Sequence, residues 1–471
     1  MAREAHLLDR FLNPQSLALF GSMQENWFFG PGVIIGDLLQ WGYRGVIYPV
    51  HPTADSVYGI KVFRDLAEID GVPDLAVVAT SYKHVPGILH QCGRKGVRAA
   101  VVISDSFGEA GPEGKIRQAE LLRIAESYGI RIMGPNTVGI FNSEHWFTTV
   151  PYARGYEDRT PGRLSIVTQT GMYSPQAMAW QEYEAGVNKV IDLGNMCDID
   201  ETDCLDYLEG DDSTDVVSIY MEHTRRPQAF LETLQRVSRK KPVLCLMPGG
   251  SPGTAAAMAS HTGSMAGDAN LYQALFRQAG IIRVEEYEDL RDCATPFLRF
   301  PLPRGNRIGI ITYSGAIGIQ CIEAAESAGL ALGNLSPEGR QKLAAVSDTL
   351  GTHPVDVGPA TVTAGAELFN MYRKCFDILR EDENIDCIYL NTYVSHGLKP
   401  EYYTDLLCHI GSCREKPIVS WCYGPGRQLV HEFGSLAERS GIPFYLTSKK
   451  AIRSLSYMAQ YARWREATGT E

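Results

Sequence analysis

The sequence predicts an α/β protein of three tandem domains, each built on a parallel sheet, and three observations carry that expectation. Length is the first: at 471 residues the chain exceeds what a single core supports, so about three domains of ~150 residues are expected. The second is a recurring alternation of short apolar, β-branched runs with amphipathic helical stretches. The third is a pair of polar, turn-rich passages that interrupt this alternation.

Taken in order, the first third contributes the runs SLALFGS, GVIYPV, DLAVVAT, AAVVIS and RIMGP, with helix candidates GPGVIIGDLLQWG, YKHVPGILHQCGRKG and GKIRQAELLRIAESYG between them. Apolar runs too short for helices, alternating with helices, mark βαβ units and a doubly wound parallel sheet, a Rossmann-like arrangement. The passage from His145 to Arg163 then reads as a linker. The alternation resumes with LSIVTQT, NKVIDLGN, DVVSIYME, KPVLCLMPGG and IIRVE, breaks at FPLPRGNR, and returns with IGIITYSG, NIDCIYLNTYV, KPIVSWCYG and IPFYLTS. Three Rossmann-like or flavodoxin-like domains follow, over residues 1–145, 160–298 and 305–471.

Composition removes several classes of function. With 44 basic against 55 acidic residues the net charge is −11, and no basic stripe interleaved with aromatics occurs, so nucleic acid is not an expected partner. No 18-residue apolar run and no signal-peptide pattern is present, so a soluble, cytoplasmic protein without membrane association is expected. The eleven cysteines are scattered singly. The nearest pair, Cys408 and Cys413, has no zinc-like companion, so buried reduced thiols and no metal site are expected.

In open α/β sheets ligands bind beyond the carboxyl ends of the strands, which makes the turns there the places to read. After the first run comes GSMQENWFFGPG, a Gly/Ser turn without true dinucleotide-binding glycine spacing, able to hold a nucleotide phosphate or to serve as a tight connection. After SIVTQ, residues Thr168, Gln169, Thr170 and Gly171 lead into MYSPQAMAWQEYEAG, where a helix N-terminus offers N–H groups to an anion. Routine capping explains the hydroxyls there equally but makes no use of the glycine. TYSGAIGIQ is a parallel turn in the last third. Glu222 closes DVVSIYME at a sheet edge, where it either orients an imidazole or is a solvated strand end. Finally, ASHTGSMAG surrounds His261 with small residues, as suits a mobile loop whose imidazole accepts and carries a phosphoryl group. An ordinary surface or core histidine is the alternative, and His51, His84, His223 and His353 read as surface or capping residues near turns, the first and third of them beside proposed sites.

Together these stretches resemble the NDP-forming acyl-CoA synthetase superfamily, which includes succinyl-CoA synthetase and ADP-forming acetyl-CoA synthetase. SLALFGS, GVIYPVHPTADSVYGIKVF, ISDSFGEAGPEG and IRIMGPNTVGIFN look like its CoA-binding domain. IVTQTGMYS, DLGNMCDIDETDCLDYL and ASHTGSMAG look like its phosphohistidine domain, and RGNRIGIITYSGAIG with HPVDV like its third. The resemblance implies that His261 becomes phosphorylated on a loop moving between two sites. An acyl phosphate exchanges its phosphoryl with the histidine at one, CoA exchanges the acyl group, and ADP exchanges the phosphoryl at the other, all reversibly. It also implies that Glu222 steadies the phosphohistidine, that Thr168, Thr170, Gly171 and Met172 hold phosphate, and that Gly21, Ser22, Met23, Ile103, Ser104 and Asn136 contact CoA. The family's ATP-grasp nucleotide-binding domains have no counterpart in the sequence, so ATP or ADP with Mg2+ is expected on a separate ATP-grasp β subunit, in an α2β2 heterotetramer.

The sequence departs from relatives at LMPGGS, where Met247 and Gly250 replace a lysine and an arginine, removing two positive charges near the phosphate path. Thr137 stands where relatives often place cysteine. Trp27, Phe28 and Phe29 either line an acyl pocket for a bulky or aromatic acid or pack against the sheet. A catalytically inactive CoA- or acyl-CoA-binding regulatory protein of the same fold is the alternative function. A nicotinamide-dependent oxidoreductase would rest on the Rossmann-like opening alone.

Overall fold

The computed structural model describes residues 6–152, 161–174, 186–248, 253–254, 269–398 and 400–469. It contains two compact units, one built from residues up to Leu290 and one from Arg291 onward.

In the first unit, β1 (Ser16–Gly21), β2 (Val46–Val50), β5 (Leu75–Ala79), β6 (Ala99–Val102) and β7 (Arg131–Met133) form a parallel sheet in the order β2-β1-β5-β6-β7, with the small hairpin β3 (Ser56–Val57) and β4 (Ile60–Lys61) beside it. All four residues of β6 are buried, as a strand covered by helices on both faces requires. The helices Pro31–Trp41, Val85–Lys95 and Gly111–Tyr128 each have a proline in the first turn and stop at a glycine, the asymmetry that fixes helix boundaries in sequence.

The second sheet contains β8 (Ile140–Asn142), β9 (Phe147–Thr148), β10 (Leu164–Thr168), β11 (Val187–Asp192), β12 (Val216–Tyr220), β13 (Val243–Leu246) and β14 (Ile282–Arg283), in the order β14-β13-β12-β10-β11-β8-β9. Its parallel part has flavodoxin-like order. The hairpin β8–β9 pairs antiparallel with β11, Ile140 opposite Ile191. The stretch that reads as a linker from His145 thus begins inside this sheet, where Phe147, Thr148, Thr149 and Val150 are all buried. One apolar cluster runs from Leu19 and Val101 of the first sheet to Ile191 and Val217 of the second.

Lys189 of β11 fastens this edge. Its Nζ, 1% exposed, donates to Asp211 Oδ2 at 2.8 Å, Asn188 Oδ1 at 2.6 Å, Ser213 Oγ at 2.7 Å and Glu144 Oε2 at 3.3 Å. Burial raises the Asp211 carboxyl, but the Lys189 charge and the bonds from Lys189, Thr214 and Ser213 outweigh it and hold the group at about 2.

In the second unit, β15 (Arg307–Thr312) is flanked on one side by β16 (Ala331–Leu332) and β17 (Val355–Asp356), and on the other by β18 (Cys387–Tyr393) and β19 (Ile418–Tyr423), all parallel. Neither β16 nor β17 reaches the middle of β15. His353 fills the gap: its Nε2 accepts from Ile310 N at 2.9 Å and its Nδ1 bonds Gly333 O at 2.7 Å. It is therefore an internal brace where the sequence suggests a surface histidine, and burial pushes its pKa down to about 4. IPFYLTS forms only a bridge between Phe444 and Ser420, because the chain turns at Thr447 to cap the helix Ser448–Ala467.

No described helix is long and apolar enough to cross a membrane. All eleven thiols are free; Cys408 is exposed and Cys413 half-buried, which departs from the buried thiols expected. Replacing Lys189 by Met is expected to destabilise the chain by roughly 3–5 kcal/mol in urea unfolding, since Asp211 would be left with a buried, uncompensated charge. A loss below about 1 kcal/mol would show that water replaces the ammonium.

Candidate active site

The connections leaving β1 and β5 diverge at their carboxyl ends, the topological switch point of the first sheet. A cavity of about 620 Å3 opens there. Gly21 at the end of β1, Ser22, His51 and Thr80 just past β1, β2 and β5, and Arg64 and Lys83 line it. The backbone N–H groups of Thr53 and Ala54 donate to His51 Nδ1 at 3.2 and 3.1 Å, which leaves the ring proton on Nε2. Arg64 is fixed by Ala54 O at 2.7 Å and by Asp55. A cavity at a switch point with an arginine, a lysine and N–H donors on its walls is fitted to phosphate groups of a nucleotide-bearing ligand.

Of the six residues that the sequence assigns to CoA, Gly21 and Ser22 line this cavity. Gly21 sits at φ +137, and a Cβ there would lie 2.1 Å from Ala79 O, so the turn closes against β5 only with glycine. Met23 turns into the core at 8% exposure. Ile103, Ser104 and Asn136 form a second group along the edges of β6 and β7. Ile103 N donates to Val78 O at 2.8 Å, and Asn136 N to Ser104 O at 2.9 Å. Ser104 Oγ accepts from Thr80 N at 3.3 Å, which joins this group to the cavity wall. Arg64 and Lys83 are absent from the sequence-based set, although a basic residue just past an apolar run was a readable signal.

Trp27 and Phe28 are 48% and 63% exposed, so packing against the sheet does not describe them. Their rings lie 5.1 Å apart, Phe29 is 6.5 Å from Phe28, and Tyr152 is 5.3 Å from Phe29. Thr137 is buried, and its hydroxyl donates to Asp192 O.

A backbone ladder joins this edge to the second sheet. Asn195 N donates to Pro135 O at 2.9 Å, Cys197 N to Gly134 O at 3.0 Å and Ile199 N to Ile132 O at 3.1 Å. Arg131 closes it with a two-pronged pair to Asp198, at 2.8 and 2.9 Å. Asn136 Nδ2 donates to Asn195 Oδ1 at 3.2 Å, and Leu193 N to Thr168 O at 2.8 Å. The groups assigned to CoA and to phosphate therefore stand on one continuous network.

At the phosphate turn, Thr168 Oγ1 accepts from Thr170 N at 3.0 Å and donates to Thr170 O at 3.1 Å, while Thr170 Oγ1 accepts from Met172 N at 3.4 Å. Both hydroxyls thus cap the turn that carries them, and Met172 is 51% exposed. The glycine has a packing reason, because a Cβ on Gly171 would lie 2.5 Å from Val138 Cγ1. The described helical part is the single turn Gly171–Tyr173; the rest of the stretch read as a helix lies outside the described residues.

Glu222 is 6% exposed, not a solvated strand end. Gln169, unassigned from sequence, organises it: Gln169 Oε1 accepts from Glu222 N and, at 3.2 Å, from His223 N, while Tyr220 OH donates to Glu222 Oε1 at 3.3 Å. Burial lowers the pKa of His223, with Arg225 adding to the effect and Glu222 opposing it. Met247, 8% exposed, lies in the main apolar cluster. His261 and Gly250 lie outside the described residues. No group of three or more His, Cys, Asp or Glu able to hold a metal occurs among the described residues.

Residues 18–143 match a CoA binding domain family, and residues 161–297 a succinyl-CoA ligase like flavodoxin domain. The alpha subunit of acetate–CoA ligase [ADP-forming] I from Pyrococcus furiosus is 32% identical over 467 residues, 97% of this chain and 98% of that one. Acetate–CoA ligase [ADP-forming] II from Archaeoglobus fulgidus is 32% identical over 462 residues, 96% of this chain, which spans only 66% of that longer relative. Among solved structures, the dinucleotide-forming acetyl-coenzyme A synthetase 1 of Ca. Korarchaeum cryptofilum, in complex with phosphate and ADP, superposes with a TM-score of 0.85 at 28% identity, over 98% of this chain and 97% of that one.

One buried acid beside the site yields a test. Glu201 opens the helix Glu201–Glu209 at 1% exposure, and burial pushes its carboxyl up to about 7 against a pull from the Thr224 hydroxyl. The folded state keeps a proton that the unfolded chain releases, so unfolding free energy falls as pH rises from about 4.5 toward 7. Glu201→Gln is expected to be stabilising relative to the parent by an increment that grows over that range, to on the order of 3 kcal/mol at most. Urea midpoints at pH 5 and pH 8 check it; an equal increment at both would contradict a protonated Glu201.

Proposed function

The chain belongs to the NDP-forming acyl-CoA synthetase superfamily, and from that premise we propose that it is the alpha-type chain of an acid–thiol ligase. The overall reaction converts a carboxylic acid, CoA and ATP into acyl-CoA, ADP and inorganic phosphate, reversibly. The γ-phosphoryl of ATP passes to His261 with release of ADP. The phosphohistidine then gives it to the acid's carboxylate, restoring the imidazole and forming an acyl phosphate. The sulfur of CoA attacks the acyl carbon, the bond to the phosphate oxygen breaks, and phosphate leaves.

Within this scheme residues 1–145 bind CoA, residues 160–298 carry the phosphohistidine chemistry, and residues 305–471 form the third domain. Gly21, Ser22, Arg64 and Lys83 receive the nucleotide end of CoA, and Ile103, Ser104 and Asn136 guide the rest toward the second sheet. The turn Thr168–Met172 offers donors to phosphate. Glu222, held by Gln169, steadies the phosphohistidine by its negative charge, as a carboxylate favours a cationic imidazole. ATP and Mg2+ are bound by an ATP-grasp partner, in an α2β2 assembly; the alpha-subunit naming of the Pyrococcus relative supports a partner. The observation that carries the reading is the network linking the switch-point cavity, through Asn136 and Asn195, to the turn beside Glu222.

A second reading is an inactive CoA-binding regulatory protein, and one observation favours it: Met247, where the resemblance implies a lysine, is buried in the core and brings no charge to the site. Labelled ATP separates the two. Co-expressed with its ATP-grasp partner, the chain is expected to take an acid-labile, base-stable phosphate that is absent in His261→Ala and is discharged by CoA with an acid. Glu222→Gln is expected to lower the labelling rate at least tenfold while leaving CoA affinity within about twofold. A folded complex that binds CoA and never takes label would instead be the regulatory protein.

A further inference from the structure

We propose that Arg225 is a phosphate-binding residue on the loop that follows Glu222; this rests on the ligase reading for its role, though not for its test. The loop leaving β12 carries two adjacent arginines in different electrical states. Arg226 is neutralised: its guanidinium bonds Asp200 at 2.6 Å and Asp203 at 2.8 Å. Arg225 has no carboxylate partner among the described residues. Its Nη1 donates instead to two backbone carbonyls, Met196 O and Asp198 O, each at 2.8 Å.

Those two bonds use both protons of Nη1, so they leave the three N–H groups on Nη2 and Nε, the two-pronged edge that matches a phosphate, for a ligand. The side chain is exposed yet held at its tip, which lowers the entropy cost of meeting a ligand. Its location joins it to the phosphate turn. The Sδ of Met196, whose carbonyl Arg225 holds, accepts from Gln169 Nε2 at 3.3 Å. Gln169 Oε1 in turn holds the backbone N–H groups of Glu222 and His223.

Charge accounting points the same way. Glu222 and an arriving phosphate are both negative, and burial disfavours the charged form of His223. Met247 lies in the core. Of the described residues on this loop, Arg225 alone carries a positive charge that no acid offsets.

The ligand chemistry is a phosphate oxyanion, which inorganic phosphate and the phosphates of CoA share, so both are titrated. The probes are inorganic phosphate and CoA, measured calorimetrically on the full chain with its ATP-grasp partner, in the parent, Arg225→Met and Arg225→Lys. Arg225→Met is expected to weaken phosphate binding at least tenfold and to leave CoA affinity within twofold, with Arg225→Lys between the two; intact CoA binding also reports that the variant is folded. Phosphate affinity unchanged by Arg225→Met, or loss of CoA affinity in its place, overturns the proposal. The titration needs no turnover. Arg225-dependent phosphate binding in an enzyme that never labels His261 would sink the ligase reading and leave this site standing; a labelled His261 with phosphate binding indifferent to Arg225 would sink this inference alone.

Discussion

The backbone ladder between Ile132–Pro135 and Asn195–Ile199 is the constraint on which the rest of the first unit depends. It leaves no room at the turn that starts it: Gly194 has φ +53, and a Cβ there would lie 2.3 Å from Pro135 O and 2.5 Å from Asn136 O. A side chain would push the two sheets apart. With glycine in place, the carboxyl edges of β7 and β11 meet, and Arg131 and Asp198 hold them with a charged, two-pronged bond. Two of the assigned groups hang from that joint. Asn136 reaches Asn195 on one side, and Leu193 reaches Thr168 on the other.

Electrostatics at the joint depend on which charges are offset. Lys189, Arg131 and Arg226 each face an acid, as structural cations do. Lys83 lines the cavity at the switch point, and Arg225 on the loop after Glu222 is held by backbone carbonyls. In a chain with an acidic overall balance, a cation that is to meet an anionic ligand is best held by neutral groups. Two carbonyls do this for Arg225.

The strands were legible because their periodicity is a direct consequence of burial on both faces. β1, β5, β6, β10 and β12 fall on apolar runs that no amphipathic helix would show. The hairpin β8–β9 was not legible, since its Thr- and Trp-containing, turn-rich sequence looks like a connection until β11 is known to be its partner. IPFYLTS erred in the opposite direction: a β-prone run was cut short by the cap at Thr447. At the candidate site, the turn positions of Gly21, Ser22, Thr168 and Thr170 were readable because each stands at or just past the end of an apolar run. The burial of Glu222 was not, because it depends on Gln169 folding back over the next strand. Nor was the difference between Arg225 and Arg226, adjacent in sequence and distinguished only by Asp200 and Asp203. Gly171 was readable as a turn glycine, while its packing reason was not: a Cβ there would meet Val138, a residue far away in sequence.

The most direct measurement is the reverse reaction. The chain and its ATP-grasp partner would be given an acyl-CoA, ADP, Mg2+ and labelled inorganic phosphate, and ATP and free thiol would be followed together. Equimolar thiol and labelled ATP, both dependent on ADP and phosphate, is the predicted result. Thiol release without ATP, or none under any condition with CoA still bound, would contradict the assignment of this chain to ligase chemistry.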